Sequence, residues 1–162
     1  MSETVVYINV LQDSLTKKLS ILKDLLTRTQ RQKELLAEPD ETAMEQFDQL
    51  MQEKASLIDE MKKLDEGFQG IYDRVGLELK ANKYQYQQQI MEMQNLIRAI
   101  TDIGVRLEGM EQQNKVAFQN YINGQRQEIR QFRVNHKTAA SYYQNMANQH
   151  HEWQTYFVDQ KK

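Results

Sequence analysis

Cysteine is absent from the 162 residues, so neither a disulfide framework nor thiolate chemistry is available. Proline occurs once and glycine six times, too few for a β fold built on tight turns. Charge of one sign is not in excess: the formal net charge is -2, which points neither to nucleic acid nor to an acidic lipid surface. No apolar run approaches the roughly 20 residues that span a bilayer, so stable membrane insertion is not expected. The start, Met1-Ser2-Glu3-Thr4, lacks the basic-then-apolar pattern of a cleaved signal. Together these absences predict a soluble, cytoplasmic protein.

What is there is helix-forming. Glu, Lys, Gln, Leu and Met are abundant, and all favour the α-helix. A mean hydropathy of -0.80 beside 40% hydrophobic residues means apolar material spread thinly. Elongated helices that each bury a narrow stripe need about that much.

The first helix is expected over about 4–37. Leu15, Leu19, Leu22, Leu26, Thr29, Lys33 and Leu36 recur at spacings of four and three, the seam of a helix packed along another. Pro39 cannot continue a helix interior but suits a new first turn, and Asp40, Glu41 and Glu45 place negative charge at that positive helix end. A tight turn between antiparallel helices follows. The second helix is expected over about 40–66, with Met44, Phe47, Met51, Lys54, Ile58, Met61, Asp65 and Phe68 on its seam. Gly67 and Gly70 each weaken a helix by about 1 kcal/mol, and mark a turn or a kink. The third helix is expected over about 71–134. Its ladder runs Tyr86, Ile90, Met93, Ile97, Ile100, Gly104, Leu107, Glu111, Asn114, Phe118, Tyr121 and onward to Phe132. The predicted fold is therefore all-α: an antiparallel hairpin plus a long third helix, a coiled-coil-like three-helix bundle over 1–134. Beyond it, 135–162 reads as a flexible polar and aromatic tail.

Length then points to a surface. At 1.5 Å per residue the first two helices are about 50 and about 40 Å long. A third helix that starts near Ile71 outruns them near Gly104 to Leu107. Leu107, Met110, Phe118, Tyr121, Ile122, Ile129 and Phe132 would then lie on an overhang, an apolar stripe open to a partner. The other reading of that stripe is self-association into a homodimer. Glu111 and Asn114 sit on the same seam, where polar residues either fix register or face a partner that bonds to them.

Chemistry is hard to find. His150 and His151 are adjacent, so on a helix they diverge by about 100° and do not share a metal. His136 stands alone. Gly67-Phe68-Gln69-Gly70 lacks the lysine and the strand of a phosphate loop. The pairs Asp59-Glu60 and Asp65-Glu66 read as solvated charge. Arg126, Arg130, Arg133 and Lys137 form one short basic stretch in a net-acidic chain, weak grounds for nucleic acid. No catalytic, cofactor or metal site is assigned, and an adaptor is the reading the residues support.

Several segments together resemble the FlgN-type flagellar export chaperones in their Gram-positive form. They are Leu25-Leu26-Thr27-Arg28-Thr29-Gln30, Lys54-Ala55-Ser56-Leu57-Ile58-Asp59-Glu60, Ile97-x-x-Ile100, Glu111-x-x-Asn114, and the closing Tyr156-Phe157-Val158-Asp159-Gln160-Lys161-Lys162. The FliT-type chaperones share the helical-bundle design. The resemblance implies a cytoplasmic chaperone of flagellar type III export that binds hook–filament junction proteins and brings them to the export gate. It implies client binding by the C-terminal helical part, which adds Tyr156, Phe157 and Asp159 to the candidate partner residues. It also makes Tyr121 the candidate counterpart of a family tyrosine associated with the gate.

Overall fold

A computed structural model describes residues 3–124 and places them in three helices: α1 (Glu3–Ala37), α2 (Ala43–Ala81) and α3 (Gln87–Gly124). The all-α three-helix bundle expected from the seams is what forms. α1 packs closely against both neighbours. It runs antiparallel to α2, since Thr4 reaches Glu78 while Lys18 reaches Asp65. It runs parallel to α3, since Gln12 reaches Glu92 while Thr29 reaches Glu111. α2 and α3 meet through long side chains, as in the Phe47–Phe118 ring stack at 5.0 Å.

The first turn forms where Pro39 predicts it. Asp40 Oδ1 accepts from both the backbone N–H and the hydroxyl of Thr42 at 2.8 Å, and the Asp40 carbonyl accepts from Ala43 N–H. Those hydrogen bonds, led by the Thr42 hydroxyl, hold the Asp40 carboxyl below its ordinary value.

The second turn does not form at the glycine pair. α2 runs straight through Gly67 and Gly70, ends at Ala81, and turns over 82–86 into α3. Both glycines face solvent, and a Cβ at either would meet nothing within 4 Å. Their cost of about 1 kcal/mol each is outweighed by what the continued helix buries. Phe68, Val75 and Leu79 are all buried, each contributing about 1.5–3 kcal/mol. Phe68 also stacks on Tyr72 one turn ahead, 6.1 Å between ring centroids. At the new turn Asn82 Nδ2 donates to the Glu78 carbonyl, and buried Tyr86 closes the end of the core.

This moves the register of α3 and corrects the length argument. The helices hold 35, 39 and 38 described residues, so at 1.5 Å per residue each is on the order of 50–60 Å long. α3 starts at Gln87, not near Ile71, and is sheltered by α1 and α2 along its described length. The expected overhang from Leu107 is absent among the described residues. Residues beyond Gly124, including the expected tail, lie outside them.

The core falls into two apolar clusters. The larger runs from Ile8, Leu11 and Leu79 at one end to Leu25, Ile58 and Leu107. The smaller, at the end carrying the Pro39 turn, holds Leu35, Phe47, Met51, Phe118 and Ile122.

Candidate functional site

Between the two clusters lies a layer of polar side chains. Thr29 and Gln32 come from α1, Lys54 from α2, and Glu111 and Asn114 from α3; none is more than 1% exposed. All five occupy the buried faces of their helices, at three/four spacings that aim each of them at the bundle axis. Lys54 Nζ donates to Glu111 Oε1, closing a buried ion pair. It also donates to Gln32 Oε1 at 2.8 Å. Thr29 Oγ1 donates to Glu111 Oε1 at 3.1 Å, and Asn114 Nδ2 donates to the Thr29 carbonyl at 3.1 Å. Gln32 Nε2 completes the layer on the Phe47 carbonyl at 3.3 Å. Burial lowers the Lys54 pKa, and the Glu111 carboxylate opposes that shift without cancelling it.

A second ion pair, Lys18–Asp65 at 2.5 Å, joins α1 to α2 inside the larger cluster. Burial likewise lowers the Lys18 pKa, against the pull of Asp65. Asp65 is therefore not solvated charge as its sequence neighbourhood suggests. Lys33, expected on the α1 seam, is exposed; Lys18 and Gln32 take seam positions instead.

The layer has no route for a substrate, because its charged atoms are sealed from solvent. What it can do is fix alignment. A slip of α2 against α3 would strand Lys54 and Glu111 as unpaired buried charges, at a cost of about 3–5 kcal/mol, and a slip of α1 would take Thr29 and Gln32 from their partners.

The expected partner residues divide accordingly. Leu107, Glu111, Asn114, Phe118 and Ile122 are buried inside the bundle, which corrects their placement on an open stripe. Met110 is half-buried and lines a shallow groove between α1 and α3 with Leu26, Arg31 and Arg106. Tyr121 is half-buried. Ile129, Phe132, Tyr156, Phe157 and Asp159 lie outside the described residues, as do the histidines and the basic stretch from Arg126.

Among the described residues no cluster of three or more His, Cys, Asp or Glu is arranged to hold a metal ion. No helix there is long and apolar enough to cross a membrane. The sequence profile of the FlgN protein family matches residues 1–151. The chain belongs to the FlgN family. No curated protein and no solved structure gives a match. Members of the family are flagellar export chaperones, and the family is not known for enzymatic activity. The match spans the whole described bundle and the basic stretch, and ends before Tyr156, Phe157 and Asp159.

Proposed function

We propose that this chain is a cytoplasmic chaperone of flagellar type III export that binds hook–filament junction proteins and delivers them to the export gate. The observation that carries the reading is the family match over residues 1–151. The burial pattern supports a division of labour. α1, α2 and the buried face of α3 satisfy one another, so Leu107, Glu111, Asn114, Phe118 and Ile122 serve as frame while the bundle is closed. Client contact then falls to Met110 and Tyr121 at the surface of α3, and to Ile129, Phe132, Tyr156, Phe157 and Asp159 after it. An amphipathic client helix laid on such a surface gives a complex whose anchors are few and apolar.

The test is co-purification of the tagged full-length chain from a flagellated host. A hook–filament junction protein should be recovered with it. An Ile129→Asp/Phe132→Asp variant with an unchanged melting curve should recover at least about tenfold less, as loss of an anchor worth 1.4 kcal/mol or more requires. Equal recovery would move client contact away from those residues. Recovery of no junction protein by the unaltered chain would overturn the reading.

A further inference from the structure

The two apolar clusters are unequal. Among the described residues the larger contains sixteen buried residues and the smaller five, and they share none. A lone buried charge does not divide a core: Lys18 is enclosed by the larger cluster, and Leu15, Leu22, Leu25 and Met61 continue around it. The layer of Thr29, Gln32, Lys54, Glu111 and Asn114 is different, because polar groups from all three helices occupy the cross-section at one level. Apolar packing, which couples neighbouring layers most strongly, stops there.

The two helix ends joined at the Pro39 turn are unevenly steadied: Glu45 sets a complementary negative charge in the first turn of α2. The last turn of α1 carries no basic residue. Thr42 at the start of α2 makes no side-chain cap bond to that helix's backbone. Caps and complementary charge are what steady helix ends. Among the described residues the turn end is therefore held mainly by Leu35, Phe47, Met51, Phe118 and Ile122, with Leu36, Met44 and Leu50 packed against them, and by the layer itself.

We infer that the end of the bundle carrying the Pro39 turn opens as a cooperative unit of its own, with the buried polar layer as its boundary. Opening separates Leu35, Phe47 and Met51 from Phe118 and Ile122, while the larger cluster stays closed. It exposes an apolar strip on α3 that the closed bundle hides. The use of that strip by a client rests on the function proposed above; the opening itself does not.

Hydrogen exchange on the full chain in rising, sub-denaturing urea tests this without any partner. Amides from Gln32 to Met51 and from Asn114 to Ile122 should exchange on the order of 100-fold faster than those of Leu11–Leu22, Met61–Leu79 and Met93–Ile100, through one shared urea-dependent opening. Equal protection at both ends would overturn the inference. So would a residue-by-residue gradient without urea dependence, which is ordinary fraying. A Lys54→Met/Glu111→Leu variant makes the layer apolar and should slow exchange at the turn end toward that of the larger cluster; unchanged exchange would remove the layer as boundary. Phe118→Ala should speed exchange at the turn end alone. If it speeds all amides alike, or unfolds the chain outright, the bundle is one unit and the inference fails. Absence of client binding would leave this exchange pattern intact, so the two readings fail separately.

Discussion

Lys54 and Glu111 are worth more as a couple than either is alone. Removing one partner, as in Glu111→Ala, should destabilise the bundle by about 3–5 kcal/mol, whereas Lys54→Met/Glu111→Leu should be neutral or stabilising, because no charge is left stranded. Urea denaturation of the three proteins measures both. The alkaline limb follows from the same burial. Lys18 and Lys54 titrate below 10.5 in the fold, so the unfolded chain holds more protons in that window and stability rises with pH up to about 10.5. Tyr72 works the other way: burial raises its pKa, the unfolded phenol ionises first, and stability falls above the ordinary value of 10.0. A stability maximum near the crossing, flattened on its acid side in the double variant, is the expected profile. At this scale the sequence was legible on α3, where every ladder residue from Tyr86 to Phe118 is buried. On α1 Leu15, Leu22 and Thr29 are buried as their spacing predicts, while the seam residues between and after them lie one position earlier than the leucines suggest. Leu19 and Leu26 look like seam residues by type, but they flank it, while Lys18 and Leu25 lie in it. A lysine on a stripe reads as solvent-facing unless its carboxylate is visible, and Asp65 is 47 residues away.

Among the elements, α2 is where local propensity and packing disagree most. Gly67 and Gly70 are helix interior with open space where a Cβ would sit, so Gly67→Ala and Gly70→Ala should each stabilise by about 0.5–1 kcal/mol. Gly76 is the contrast: its Cβ would meet the Tyr72 ring at 3.3 Å, and Ala there should gain nothing or lose. Thermal melts of the three single variants decide it; a gain at Gly76 equal to the others would show the ring yields freely. Asp40 makes the opposite kind of element boundary. Its folded pKa is depressed, so its contribution is present above the unfolded value of 3.8 and lost as pH falls through the folded one. Asp40→Asn keeps an acceptor for Thr42 and should remove that acid dependence, which an acid titration followed by circular dichroism would show. The Pro39 turn was legible because one residue type forbids the alternative. The glycine pair was not, because what carries the helix onward is Phe68, Val75 and Leu79 docking on α1, a fact of tertiary packing.

For the whole molecule, the decisive quantity is the match in length of three helices. It turns the far half of α3 from an open stripe into core. Leu107→Ala should therefore cost about 2–5 kcal/mol in urea denaturation, against at most about 0.5 kcal/mol for a residue on a solvent-facing overhang. The helix count and the antiparallel hairpin could be read from composition and periodicity. The shelter of α3 could not, since a 16-residue shift in where one helix begins changes what every later residue faces. The polar layer was half visible: Glu111 and Asn114 stood out on their seam, while Thr29, Gln32 and Lys54 gained meaning once three helices brought them to one level.

α1 and α3 run parallel, so the chain passes Gly124 at the same end of the bundle as the Pro39 turn. Whatever residues past Gly124 grasp is thereby kept on a short leash to that end. Ile129 lies five positions on, and five residues reach at most about 18 Å in any conformation. A partner held there would meet the turn end of the bundle at an effective concentration in the millimolar range, so even a weak or brief second contact at that end would count toward the hold.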